Sequence, residues 1–116
     1  MGIQYEIDLE KGRAIVVLEG KSVFKENQAK REEMWSDPKW RPNLDYMLEL
    51  RLSDVFLTNE EMEVLFKETK YWRRVAIVVG FKGEEFGNKL QNQLKAVEGI
   101  RVFRNWTAAE EWVTSD

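Results

Sequence analysis

Arg51 and Asp54 stand three residues apart, where an alternating segment, Asp45 to Leu52, runs out. In open α/β sheets ligands collect at the C-terminal ends of strands, and an arginine there can grip a carboxylate or phosphate. The plainer role for the same pair is a structural ion pair that anchors a loop. A second candidate is Gly80-Phe81-Lys82-Gly83-Glu84-Glu85-Phe86-Gly87, between an apolar run and a helical one. Backbone amides in such a loop could cradle an anion. Its spacing matches neither G-x-G-x-x-G nor the phosphate-binding P-loop, and its two glutamates would repel phosphate while suiting a helix dipole. Turn and cap chemistry explains it better.

Other chemistries are excluded by residue type. There is no histidine and no cysteine. The usual general base, the commonest metal ligand, the thiolate nucleophile and any disulfide framework are all missing. Ser22, Ser36 and Ser53 have no histidine to activate them. Asp8 with Glu10, and Glu60 with Glu61 and Glu63, read as a solvated strand face and a helix start, not as metal sites. The residues therefore predict no catalytic centre, no metal and no cofactor. A net charge of −3 argues against a sequence-independent nucleic-acid binder.

With 116 residues, 43% of them hydrophobic, the chain predicts one domain over residues 1–116 with a genuine core. Its first residues lack a basic start and an apolar stretch, and its longest apolar runs are too short to span a bilayer, so the expected compartment is the cytoplasm.

The elements follow from periodicity. Ile3, Tyr5, Ile7 and Leu9 alternate with polar residues, which predicts a half-exposed strand. Lys11-Gly12 is a turn, and Ala14 to Leu18 predicts a second strand, antiparallel to the first and covered on both faces. Residues 23–35 have helical composition after a Ser22 cap, and both prolines fall in the loop that follows. Asp45 to Leu52 predicts a third strand with Leu48, Leu50 and Leu52 on one face. Thr58-Asn59-Glu60-Glu61 predicts a capping box opening a second helix through Met62, Leu65 and Phe66. Val75 to Val79 predicts a central strand, Phe86 to Val97 a third helix ended by Gly99, and Ile100 to Phe103 a last strand. Thr107-Ala108-Ala109-Glu110 reads as a second capping box, opening a terminal helix that buries Trp112 and Val113. The order ββαβαβαβα predicts an α/β fold with a mixed five-stranded sheet and about four helices. Its first strand is antiparallel, the rest mostly parallel. The polar faces of the first and third strands predict one incompletely covered sheet face.

The first helix is unusual. Val23 and Phe24 open it and Met34 and Trp35 close it, but nine residues between them, Lys25 to Glu33, carry no apolar stripe. Such a helix is pinned at its ends and weakly held between. Two readings follow: an ordinary surface helix with packed ends, or a movable lid over an apolar cleft lined by Phe24, Trp35, Trp40 and Phe66. Trp35, Trp40, Trp72 and Trp106 all fall at predicted element ends or in loops. There tryptophan either plugs a small sheet or lines a ligand, partner or membrane surface.

The segment Asp37-Pro38-Lys39-Trp40-Arg41-Pro42, then Leu48-Glu49-Leu50-Arg51 with Asp54, Arg74 to Val79, Phe86-Gly87, and Arg101-Val102-Phe103-Arg104 through Glu111-Trp112, follow in an order that resembles the SpoIIAA-like proteins. These are small bacterial proteins related to STAS domains. The resemblance spans almost the whole chain and implies a STAS-like fold. It also implies a family in which many members have no assigned role, and some are suspected of binding apolar ligands or associating with membranes. Anti-sigma-factor antagonists of the wider superfamily carry a phosphorylatable serine in an Asp-Ser-Ser-Gly stretch. Here that region reads Val55-Phe56-Leu57-Thr58-Asn59-Glu60. The serine pair and glycine are missing, which leaves Thr58 and Ser53 as the nearest hydroxyls and does not carry the phosphoswitch over. The family pattern has an aspartate where this chain has Glu49.

The sequence thus predicts a non-enzymatic binding or regulatory module with candidate ligand residues Phe24, Trp35, Trp40, Phe66, Arg51 and Asp54. Its expected partner is a lipid-like or other apolar small molecule, or a protein. A STAS-type interaction regulator and a peripheral membrane protein are the alternatives, and a homodimer is left open.

Overall fold

The computed structural model describes residues 2–20, 24–53, 63, 67–79, 92 and 99–115. Strand β1, Gly2–Asp8, and strand β2, Arg13–Gly20, pair antiparallel from Gly2↔Glu19 to Asp8↔Arg13. The turn between them is built locally. The Asp8 carboxylate accepts from the Lys11 amide at 3.1 Å, and Gly12 takes φ +68°, a left-handed conformation that glycine adopts without steric cost. Strands β3 (Leu44–Ser53), β4 (Trp72–Val78) and β5 (Ile100–Phe103) continue the sheet, each parallel to its predecessor, in the order β1-β2-β3-β4-β5. The expected mixed sheet with an antiparallel first strand is therefore present.

Helix α1, Phe24–Trp35, carries the chain from β2 to β3 across one sheet face. Helix α2, Trp106–Thr114, follows the last strand and folds onto the other face. These two helices are complete among the described residues. The other two expected helices fall on segments mostly outside them, where Glu63, Lys67, Glu68 and Asn92 are helical. The expected Ser22 cap, the capping box at Thr58 and the glycine-flanked loop 80–87 lie outside the described residues.

Alternation sorts the core into two layers. On the α1 face Ile7, Ala14, Val16, Leu18, Tyr46, Leu48, Leu50, Val75 and Ile77 pack with Met34. On the α2 face Met47, Ala76 and Val78 pack with Ala109 and Val113. The second face is less complete at the β1–β2 end: Gln4 and Glu6 are exposed, and Ile15 and Val17 are only half-buried. The expectation that β2 is covered on both faces is corrected accordingly. The polar side of β3 is corrected the other way. Asp45 and Glu49 are both buried, and Arg73 of β4 closes over Asp45.

One irregularity organises the α2 face. The β3–β4 register slips between Leu44↔Trp72 and Tyr46↔Val75, so Arg73 and Arg74 together oppose Asp45. This extra residue is a β-bulge. It lets Trp72 and Val75, three apart, both face α1, and it aims two consecutive arginines at the end of α2. Arg73 grips Asp45 bidentately, Nε to Oδ1 at 2.9 Å and Nη2 to Oδ2 at 3.0 Å, and also donates to the Val113 carbonyl. Arg74 donates to the Trp112 carbonyl, and to the Ser115 carbonyl at 2.9 Å. Cations on the last carbonyls of a helix answer both the orphaned acceptors and the helix dipole.

The N-terminus of α2 is capped by Asn105, not by the predicted box. Asn105 Oδ1 accepts from the Ala108 amide at 2.7 Å. Glu110 is drawn away from the predicted role by Arg13, whose Nη2 lies 2.8 Å from Glu110 Oε2. The buried positions of α2 are Ala109 and Val113; Trp112 is only partly buried. It stacks against Phe103 with ring centroids 5.6 Å apart, between the guanidinium groups of Arg74 and Arg101, each 5.3 Å from its ring.

Candidate functional site

Five aromatic side chains meet where α1 ends and β3 and β4 begin. Trp35 is the last residue of α1, Trp40 lies in the proline loop, Tyr46 is on β3, Tyr71 closes a 3-10 turn (Thr69–Tyr71) and Trp72 opens β4. Ring centroids are 6.4 Å apart for Trp35–Trp40, 5.9 Å for Trp35–Tyr71, 6.2 Å for Trp40–Trp72 and 4.6 Å for Tyr46–Trp72. All four pairs meet tilted or edge-on, the arrangement favoured by the ring quadrupole.

Local wiring holds the loop that carries Trp40. Asp37 Oδ1 accepts from the Lys39 amide at 2.9 Å, while its Oδ2 accepts from the Tyr5 hydroxyl at 2.9 Å. These bonds keep the Asp37 carboxyl below the usual carboxylate range; the same contact raises the Tyr5 hydroxyl. The Trp40 amide donates to the Asp37 carbonyl at 2.9 Å. Asn43, at φ +70°, turns the chain into β3 and donates its amide to the Tyr71 carbonyl at 3.0 Å.

The electrostatics of the cluster are unusual. The indole N–H groups of Trp35, Trp40 and Trp72 are all buried with no acceptor in hydrogen-bond reach among the described residues. Deeper under α1, Arg31 Nε and Glu68 Oε1 are 3.7 Å apart, beyond hydrogen-bond distance, and Glu68 Oε2 is buried without a donor among the described residues. Burial pushes the Glu68 carboxyl above its ordinary value, which the Arg31 charge only partly offsets. Tyr46, fully enclosed, has its hydroxyl pushed well up by burial. At the surface Lys39, Arg41 and Lys70 are exposed, with the Lys70 ammonium 5.2 Å from the Tyr71 ring. An aromatic cluster with free donors inside and cations outside can hold an apolar body that carries a hydrogen-bond acceptor.

A concavity lies on the opposite face. An open cleft of about 460 Å³ is lined by Lys11, Arg13, Thr107, Glu110, Glu111 and Thr114. Arg13 is buried there, and its hydrogen bond holds the Glu110 carboxyl below the ordinary range. Two cations face two carboxylates, so the cleft has no net preference for either sign of ligand.

Of the sequence-predicted ligand residues, Trp35 and Trp40 come together. Arg51 and Ser53 lie on the last residues of β3, seven and more positions from Leu44, which pairs with Trp72. At the rise of a strand, Arg51 is about 23 Å from the aromatic end. Phe24 opens α1, about 16 Å of helix from Trp35. The structure thus separates these residues from the tryptophans. Asp54, Thr58 and Phe66 lie outside the described residues. Sequence reasoning missed Tyr46, Tyr71 and Trp72 as members of the cluster. The signal available was the Tyr71-Trp72 pair standing directly before a β-branched run.

Among the described residues no three potential ligands gather as a metal site, and no helix is long and apolar enough to cross a membrane. No protein-family model matches the chain, and no curated protein matches it. Among solved structures it is similar to an uncharacterized protein of the DUF3478 family, with a SpoIIAA-like fold, from Shewanella loihica PV-4. The two share 17% identity with a TM-score of 0.66, over 96% of this chain and 91% of the other. That likeness shows the fold, which is SpoIIAA-like.

Proposed function

We propose that the protein is a non-enzymatic binding module whose site is the aromatic cluster at the end of α1. Its ligand is an apolar small molecule, or an apolar partner segment, that carries a hydrogen-bond acceptor. The observation that carries this reading is the set of three buried indole N–H groups, in one cluster, without acceptors among the described residues. Leaving a buried donor unpaired costs about 1–3 kcal/mol, so folded proteins leave few of them, and three side by side mark a place where an acceptor is welcome. The N–H groups can lean on neighbouring ring faces, but such contacts are weak substitutes.

The helix above the cluster suits entry. Gln28, Ala29, Glu32 and Glu33 are exposed, and among the side chains described only Met34 is fully buried. In this reading α1 moves as a lid, and residues 25–33 exchange their amide hydrogens faster than those of β4. Equal protection in both elements would remove the lid while leaving the site.

The decisive experiment is a titration followed by tryptophan emission, with a medium-chain fatty acid and, separately, the hydrocarbon of the same length. The expected result is a saturable shift with the fatty acid, weakened in Trp40→Phe, and a smaller response to the hydrocarbon, which has no acceptor. Native mass spectrometry of protein purified from its host would show a non-covalent adduct of matching chemistry. No saturable shift, together with a clean apo mass, would overturn the proposal.

A further inference from the structure

β1 is the last strand on its side of the sheet, so one row of its backbone amides and carbonyls faces outward without a strand partner among the described residues. Such an edge either is blocked or pairs. Its charges, Glu6 and Asp8, look like blocking devices until the possible self-pairings are compared. Two copies related by a two-fold axis normal to the sheet pair antiparallel and keep each face continuous. Only residues of like parity then oppose each other, so the axis must pass through a residue.

Three centres keep most of the strand paired. An axis at Glu6 sets Glu6 against its own copy, a like-charge pair directly opposite. An axis at Gln4 leaves Ile7 and Asp8 unpaired. An axis at Tyr5 pairs all seven residues of the strand and opposes Glu6 to Gln4, Ile3 to Ile7 and Asp8 to Gly2. No carboxylate then faces another, and each Glu6 meets an amide that can donate to it. The two Glu6 carboxylates stay a diagonal apart, about 7–8 Å. On the other face Ile3, Tyr5 and Ile7, which already belong to the α1-side core, would continue into the same three residues of the second copy. Ile3 and Tyr5 are only half-buried in the single chain, so this pairing covers apolar surface that the fold leaves open.

We infer that β1 is a self-recognition edge: two copies of this chain join through an antiparallel β1–β1 ladder centred on Tyr5, forming one ten-stranded sheet. The occupant of the edge is a second copy because β1 is complementary to itself in this register. A single short ladder makes a modest interface, so the dimer forms with rising concentration.

Gln4 is exposed, so changing it leaves the single-chain fold intact, which circular dichroism would verify. Light scattering coupled to gel filtration, run over a concentration series, reads the association. Wild type should pass from monomer to dimer. Gln4→Glu sets a carboxylate against Glu6 twice over and should weaken the dimer, whereas Gln4→Lys makes two ion pairs and should tighten it. Each shifts the dissociation constant by roughly 2- to 30-fold. A monomer at every concentration for both wild type and Gln4→Lys would overturn the inference. So would a dimer that neither substitution moves, since it would use another surface.

Discussion

The two helices of this protein are held to the same sheet by different physics. Helix α2 has an apolar stripe, Ala109 and Val113, and polar clamps at both ends: Asn105 and Arg13 near its start, Arg73 and Arg74 on its last carbonyls. Helix α1 has almost no stripe. It is anchored by Met34, by Trp35 and by the Tyr5–Asp37 bond just beyond it, and the ion pair between Arg31 and Glu68 beneath it is stretched and incompletely bonded among the described residues. Among the described residues, buried donors without a hydrogen bond crowd the α1 side, where three indole N–H groups and two nitrogens of the Arg31 guanidinium lack one; on the α2 side two Arg13 nitrogens do. A helix whose polar contacts are satisfied is a fixed wall. One whose contacts are half-made can exchange them for those of a ligand, and that contrast is the reason the proposed site is put on the α1 side.

The largest effect expected is on the anchor of the weaker helix. Met34→Ala empties a fully buried position and should cost about 2–5 kcal/mol, read as a shift of the urea midpoint. A cost well below that range would mean that α1 collapses onto the cavity and is more adaptable still. On the other face, Asp45→Ala removes the bidentate partner of Arg73. The expected loss is about 1–3 kcal/mol, towards the low end because the Arg73 side chain is 42% exposed and can turn to water. A loss equal to that of Met34→Ala would make the polar clamp as important as a core anchor.

Acid sharpens the contrast, because one glutamate on each side, Glu110 and Glu68, responds with opposite sign. Glu110 has a depressed folded pKa, so its contribution is complete above the ordinary glutamate value, about 4.3, and is lost as pH falls through the folded value. Glu68 has a raised one. The fold holds its proton longer than the unfolded chain does, so stability falls as pH rises from about 4.3 through the folded value. Glu110→Gln should flatten the acid-side loss and Glu68→Gln the decline above it, both visible in urea midpoints collected across pH. If the two substitutions flatten the same limb, the faces do not differ in this way. The smallest effect is expected for Trp40→Phe, which keeps the ring stack and deletes an unpaired donor. Stability should stay within about 1 kcal/mol of wild type, or rise, by thermal melting. A clear loss would show that the Trp40 indole N–H has a partner after all.

Much of this architecture was legible in the chain. Alternation through Ile3, Tyr5 and Ile7 and through Leu48 and Leu50 marks strands, because period two is a property of extended backbone alone. Gly12 marks its turn for the same local reason. The first residues of β4 escaped, since Arg73-Arg74 breaks alternation and only pairing with Asp45 shows that a bulge absorbs it. The cap of α2 was misplaced because Thr107 and Glu110 satisfy a spacing rule, while Arg13, 97 residues away, claims the glutamate.

By itself, then, the sequence determined the strands, the hairpin, the mixed parallel sheet and the missing stripe of α1, all of which rest on neighbours along the chain. Only the tertiary structure decided that Trp35 and Trp40 meet Tyr71 and Trp72, and that Arg51 stands at the far end of the same strand. Which side chains share a site depends on where parallel strands begin and on which end of a helix meets them. Sequence spacing does not encode those distances.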